Sequence, residues 1–368
     1  MMRLMTIQEA KIHGKRELVS SPTPELDTAV LLQHITGFDK THLLLNRDFC
    51  LTAEQEVDFL SAIERRKTGF PIAYITGHKE FFGLDFYVTP DVLIPKPDTE
   101  LLVELALDAL EDKFRAKPDA IPTVCDMCTG SGCVGLSIAK TLSDKASEKK
   151  ETTDYTDGCK CDVSEDFREC GGAEDSRSLS LTLVDISEKA LDIAKKNAER
   201  LLGRDERSNV PSQTAPRSLL PAPCSLLPPH FSLLTPNSSL LTPHLSFVQS
   251  NLFENVLPTF DLIVTNPPYV PHSESVELLK DGRSEPLLAL DGDVNEAGES
   301  SGSDDGLALI RRLVPQCYQH LNRNGVLIME TGEYNAEATA ELFKEAGFRN
   351  IHIEYDMNEM MRDVVGVK

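Results

Sequence analysis

Several absences narrow what this chain can be. It contains no run of about 18 or more apolar residues, so no membrane-spanning helix is expected. Residues 1–18 hold neither a continuous apolar stretch nor a small-residue cleavage site, so no signal peptide is expected and the cytoplasm is the expected location. Basic residues are scarce, with 37 Lys and Arg against 59 Asp and Glu and a formal net charge of −22. Phosphate backbones are gripped chiefly by Lys and Arg, so this balance argues against direct nucleic-acid binding. Nine cysteines in a chain of 368 residues without a secretion signal do not suggest a disulfide framework. Cys125 and Cys128 form one Cys-x-x-Cys, but no second follows, so the pair reads as small-residue packing at a strand end. Cys159, Cys161 and Cys170 have no histidines nearby and read as solvated thiols, so no metal site is expected.

What remains is an ordinary globular composition, 40% hydrophobic and 26% charged, long enough for one large or two medium domains. Residues 1–72 read as a small helical domain. Leu26, Val30, Leu31, His34 and Ile35 recur at helical spacing before a stop at Gly37, and Thr52 with Gln55 forms a capping box. Residues 73–96 change character: Phe81, Phe82, Phe86, Tyr87 and Val88, punctuated by Gly77 and Gly83, predict a β-hairpin linker. After Pro97, residues 98–110 predict an amphipathic helix with an acidic first turn.

From Thr123 onward strand and helix patterns alternate. Strands are expected at 123–126, 181–185, 261–265, 325–330 and 350–354, with helices at 134–141, 188–202 and 336–346. Such alternation predicts a doubly wound, mostly parallel α/β sheet over residues 97–368. Three segments break the rhythm and are expected to be disordered insertions. Residues 148–177 hold ten acidic and five basic residues with few apolar ones. Residues 203–246 carry Ser-Leu-Leu at Ser218, Ser225, Ser232 and Ser239, seven apart, but a proline after each forbids a continuous coiled-coil helix. Residues 294–304 are acidic and rich in Ser and Gly.

Three motifs carry chemistry. Asp126-Met127-Cys128-Thr129-Gly130-Ser131-Gly132 follows a strand and precedes a helix, where glycines let the backbone turn sharply and approach a ligand. It is neither G-x-G-x-x-G nor a P-loop, and a tight structural turn is its other reading. Asp185 closes the next strand, where an acidic group can accept hydrogen bonds from both hydroxyls of a ribose. Asn266-Pro267-Pro268-Tyr269 ends a buried strand, at the edge where open α/β sheets bind ligands. The two prolines remove N–H donors and stiffen the backbone. Their carbonyls and the Asn266 side chain are then fixed acceptors for a planar NH₂ group, and Tyr269 is a flat wall on which it could stack.

Over nearly the whole chain apart from the three insertions, the sequence resembles the peptide chain release factor glutamine methyltransferases of the PrmC/HemK type. The resemblance runs through Glu25-Leu26-Asp27, Arg65-Arg66, Pro71-Ile72-Ala73-Tyr74-Ile75-Thr76-Gly77, Leu93-Ile94-Pro95-Lys96-Pro97-Asp98-Thr99-Glu100, the glycine loop, Asn266 to Tyr269, and Glu285-Pro286-Leu287 with Ala289-Leu290. It implies a Rossmann-like class I methyltransferase sheet with S-adenosylmethionine as cofactor. The substrate it implies is the glutamine side-chain amide in the Gly-Gly-Gln motif of release factors, with the helical domain recognising that partner. It implies Cys128, Thr129, Gly130, Ser131 and Gly132 around the methionine part of the cofactor and Asp185 on the ribose. Asn251 and Leu252 would lie by the adenine, with Asn266 beside the cofactor too. Asn266, Pro267, Pro268 and Tyr269 would hold the glutamine and carry catalysis, with Lys96 and Glu100 among the substrate-binding residues. Lys96 stands where the family usually has Arg, Asn251 where Asp is usual, and Cys128 where Gly is frequent. The same tetrapeptide occurs in enzymes that methylate adenine N6, cytosine N4 and glutamine N5. A ribosomal-protein glutamine methyltransferase and an adenine-N6 nucleic-acid methyltransferase are therefore the rival readings. Nothing in the sequence demands more than a monomer.

Overall fold

The computed structural model describes residues 3–117, 120–153, 179–203, 243–282 and 284–368. The first five helices are α1 (Ile7–Glu17), α2 (Pro24–Thr36), α3 (Lys40–Leu45), α4 (Ala53–Lys67) and α5 (Ile72–Thr76). Their ends are where side chains can satisfy free backbone groups. Capping boxes start α1 at Thr6 with Glu9 and α4 at Thr52 with Gln55, and Gly37, at φ 70°, ends α2. Ile7, Leu31, Leu32, Phe59 and Ile63 form the core of this unit. Arg66 ties it together, donating to Asp27 Oδ2 at 2.7 Å and to the carbonyls of Gly69 and Phe70.

The hairpin is shorter than the expected 73–96, because α5 takes up the first residues of that stretch. Strands β1 (His78–Phe81) and β2 (Leu84–Tyr87) pair antiparallel through Phe81↔Leu84. Phe82 and Gly83 make the two-residue turn, both at positive φ, as tight hairpin turns require. Phe81 and Phe86 point into the core below α6 (Glu100–Ala116), which follows a single 3₁₀ turn at Pro97–Thr99.

A seven-stranded sheet follows, built from β3 (Thr123–Met127), β4 (Ser180–Asp185), β5 (His244–Gln249), β6 (Phe260–Thr265), β7 (Leu321–Glu330), β8 (Arg349–Tyr355) and β9 (Met361–Val367). Its order is β5-β4-β3-β6-β7-β9-β8, with β5, β4, β3, β6 and β7 paired in parallel and β9 antiparallel to its neighbours β7 and β8. The intervening helices are α7 (Cys133–Thr153), α8 (Glu188–Leu202), α9 (His272–Leu278), α10 (Ala308–His320) and α11 (Ala336–Ala346). The central strands bury both faces, as parallel strands under helices must. Val124, Leu181, Leu183, Leu262 and Val264 face one core with α6 and α7. Cys125, Met127, Val184, Ile263 and Met329 face the other, with α10 and α11.

The chain runs outward from β3 through β4 to β5, then returns to lay β6 on the other side of β3. That reversal opens a crevice at the carboxyl ends of β3 and β6, the place where sheets of this kind hold ligands. Met127 pairs with Thr265, so the residues that follow, Cys128 and Asn266, start the crevice side by side.

Three expectations need correction. Residues 243–246 are not insertion but belong to the lead into and start of β5. Residues 148–153 continue α7. Residues 294–304 have a built form rather than a loose one: Val294 bridges Ser300, and the buried Asp293 carboxylate accepts from Gly306 N at 2.6 Å and Ser303 Oγ at 3.1 Å. Cys159, Cys161 and Cys170, and the repeat at Ser218, Ser225, Ser232 and Ser239, lie outside the described residues. Among the described residues no helix is long and apolar enough to cross a membrane.

Candidate functional site

The loop after β3 owes its shape to one buried carboxyl. Asp126 Oδ2 accepts from Thr129 Oγ1 at 2.6 Å and from Gly135 N at 3.0 Å, folding the loop back onto the start of α7. Burial raises the Asp126 pKa to about 6, against the pull of those two donors. Cys128, Gly130 and Gly132 all have positive φ. A Cβ on Gly132 would stand 2.8 Å from Leu136 Cδ1, so this glycine serves close packing. At Gly130 a Cβ would meet nothing within 4 Å, so the backbone there is bare toward open space.

Asp185, at the end of β4, takes Gly130 N on Oδ2 and Ser187 N on Oδ1, both at 2.9 Å. It therefore holds the loop as well as facing the cleft, and each oxygen keeps a lone pair for a hydroxyl donor. Its pKa is raised by burial, with the Ser187 and Gly130 amides opposing. Burial lifts the Cys128 thiol and pushes that of Cys133 up to about 12, so neither is a thiolate nucleophile near neutral pH.

On the β6 side, Asn266 Nδ2 donates to Thr99 Oγ1 at 3.1 Å. Its amide nitrogen is thus tied back toward the 3₁₀ turn, and its oxygen is left for the cleft. Asn266 and Pro268 line that cleft, whereas Pro267 is buried and does not. Tyr269 departs from the expected flat wall. It is not among the lining residues, and its hydroxyl donates to Glu330 Oε1 at 3.1 Å, at the end of β7. Its carbonyl accepts from Asn335 Nδ2 at 3.1 Å. Two glycines clamp the same turn: a Cβ on Gly306 would lie 2.0 Å from the Tyr269 carbonyl oxygen, and one on Gly292 2.9 Å from that of Pro268.

The remaining sequence candidates divide. Lys96 lines the cleft and its Nζ donates to Glu285 Oε1 at 2.7 Å, pairing with a carboxylate that is only 3% exposed. Glu100 is not among the residues lining the cleft: its Oε1 accepts from Phe82 N at 3.0 Å and caps the hairpin turn. Asn251 and Leu252 line the cleft, Leu252 with φ 51°. Asn251 Nδ2 donates to Glu254 and to Glu296, bringing the 294–304 segment onto the rim beside Arg312. Thr99, Glu296, Arg312 and Glu330 were not singled out as site residues. Thr99 lay within the quoted linker motif. Glu330 had a readable signal, a carboxyl ending an apolar strand at the ligand edge of the sheet.

The cleft encloses about 1340 Å³ of space, partly open to solvent, with the glycine loop on one wall and the Asn266 turn on another. Comparison with known proteins matches both halves of the chain. The family model of the PrmC N-terminal domain matches residues 9–77. A release factor glutamine methyltransferase of Burkholderia pseudomallei is 32% identical over 94% of this chain and 92% of its own length. The protein of that name from Koribacter versatilis is 29% identical over 99% of both chains. That from Rhodopirellula baltica is 30% identical over 92% of this chain and 87% of its own.

Proposed function

Because the chain belongs to the release factor glutamine methyltransferases, we propose that it methylates the side-chain amide nitrogen of the glutamine in the Gly-Gly-Gln motif of a peptide chain release factor. The observation that carries this reading is the Asn266 amide, fixed by Thr99 so that an acceptor oxygen is left for the cleft. S-adenosylmethionine, when bound, supplies an electrophilic methyl on a sulfonium. The residues fit such a group: the loop backbone is bare at Gly130, Asp185 stands at the next strand end, and Leu252 is an apolar wall. Cys128, Thr129, Gly130, Ser131 and Gly132 would hold its methionine part, Asp185 its ribose, and Asn251 with Leu252 its adenine.

An amide nitrogen is a weak nucleophile because its lone pair is delocalised into the carbonyl. Asn266 Oδ1 accepts one of its N–H bonds, and a main-chain carbonyl of the Pro267-Pro268 turn accepts the other. Two such acceptors fix the nitrogen's orientation, which removes rotational freedom from the barrier. They also face the positive charge that grows on nitrogen as the N–C bond forms. The surplus proton leaves to water. The helical domain recognises the release factor, and the chain acts as a monomer without contacting nucleic acid directly.

Asn266→Ala tests the assignment. Turnover should fall by about 100-fold or more, the scale for losing one preorganised hydrogen-bonding group, while calorimetric affinity for S-adenosylmethionine stays within about threefold. Near-normal turnover in that variant would sink it.

A further inference from the structure

We propose that Glu296, carried onto the rim of the cleft by the 294–304 segment, reads the 6-amino group of the cofactor's adenine; this rests on the placement of that adenine beside Asn251 and Leu252 proposed above. The segment holds Glu296 in a built turn. Asn295 Oδ1 accepts from Ala297 N at 2.9 Å and from Glu299 N at 3.0 Å, and Gly298 N closes the turn onto the Asn295 carbonyl at 2.9 Å. Glu296 is the second residue of that four-residue turn, a position fixed by the asparagine side chain before it. The base of the segment is pinned by Asp293, whose carboxylate accepts from Gly306 N at 2.6 Å and Ala308 N at 3.2 Å, and whose carbonyl accepts from Ser301 N at 2.7 Å. The Glu296 side chain is exposed, but the backbone that carries it is tied on both sides.

An adenine ring fits a slot with apolar faces and hydrogen-bonding groups only at its edge. Leu252, Val294 and Leu309 supply apolar lining, and Asn251, Glu296 and Arg312 supply the polar rim. The 6-amino group is a pair of N–H donors in the ring plane, so it needs an acceptor. Asn251 is poorly placed to be that acceptor. Its Nδ2 donates to Glu254 Oε1 at 2.8 Å and to Glu296 Oε1, and its Oδ1 faces Arg312 Nη2 at 3.5 Å. Only this orientation of the amide sets donors on carboxylates and the oxygen on a cation. A carboxylate at position 251 would repel both glutamates, so the amide is what draws Glu296 to the rim. Glu296 keeps acceptor capacity, because the Asn251 bond uses one of about four lone-pair positions on its carboxylate. Glu254, the other partner of Asn251, does not line the cleft. A carboxylate at that edge attracts an amine and repels the oxygen of a 6-oxo purine, so it selects adenine as well as binding it.

The test is calorimetric binding of two ligands to the full chain: S-adenosylhomocysteine, the demethylated cofactor, and S-nebularylhomocysteine, the same compound with hydrogen in place of the 6-amino group. Wild type should prefer the amine by about tenfold or more, the scale for one hydrogen bond to a charged group. Glu296→Ala should lose about tenfold in affinity for S-adenosylhomocysteine and stay within about threefold for S-nebularylhomocysteine, so the preference disappears. Glu254→Ala removes the other acidic partner of Asn251 and should keep the preference. The proposal is overturned if wild type shows no preference, or if Glu296→Ala weakens neither ligand. It is overturned equally if Glu296→Ala weakens both ligands alike, which would mean that the segment only packs there, or if Glu254→Ala also abolishes the preference, which would give the amine to Asn251. Leu252→Ala trims the apolar lining and should weaken both ligands together; wild-type binding of both by that variant would instead overturn the placement of the adenine on which the proposal rests.

Discussion

Asp126 is a carboxyl placed where water cannot reach it, and the cost is readable as a pH dependence. Its pKa is raised from 3.8 to about 6 because burial outweighs the Thr129 and Gly135 donors. A raised folded-state pKa means that the native state binds the proton more tightly than the unfolded chain. Its contribution is therefore fully present below pH 3.8 and is lost as pH rises through about 6. At about 1.4 kcal/mol per unit, the change is on the order of 3 kcal/mol. Asp126→Asn cannot ionise, so denaturant unfolding at pH 4, 5, 6 and 7 should show the wild type losing ground to the variant across that range. Parallel stability curves would show that the carboxyl does not titrate there. At this scale Asp185 and Asn266 were legible, because a polar residue ending an apolar strand is conspicuous. At Glu100 a motif shows that a carboxylate is wanted, but not that the Phe82 amide donates to it. The partner of the Tyr269 hydroxyl was hidden for the same reason, since Glu330 lies 61 residues further along the chain.

At the scale of elements, the acceptor turn is held from outside as much as from within. Gly292 and Gly306 flank the 294–304 segment and approach the turn so closely that a methyl group at Gly306 would overlap the Tyr269 carbonyl. Gly306→Ala should cost on the order of 2 kcal/mol or more from overlap and from its φ of 71°, and should lower kcat. Gly302→Ala, also at positive φ but facing open space, should cost about 1 kcal/mol and leave turnover intact. Equal effects of the two on turnover would remove the clamp. The elements that were missed have physical reasons. Pro315 lies inside α10 and reads as a breaker. β5 abuts the Ser-Leu-Leu repeat and is largely half-exposed. β9 carries Asp363, an acidic residue fully buried in a strand.

At the scale of the molecule, the alternation of strands and helices made the doubly wound sheet legible, and sheet order then fixed where the ligand edge lies. Sequence periodicity cannot give that order. It depends on β6 returning to the far side of β3, a long-range pairing without local signal. The helical domain depends on its own anchor, Arg66 on Asp27, with side chains 16% and 8% exposed. Arg66→Ala should destabilise that domain by about 3 kcal/mol, the scale for breaking a largely buried pair. It should raise KM for the release factor while leaving cofactor affinity unchanged. Unchanged KM would separate the helical domain from partner recognition. The most direct measurement is transfer of labelled methyl from S-adenosylmethionine to a purified release factor, set beside the same factor with the glutamine of its Gly-Gly-Gln motif replaced by alanine. Label on the glutamine form alone is the predicted result; equal labelling of both, or of neither while cofactor still binds, would contradict it.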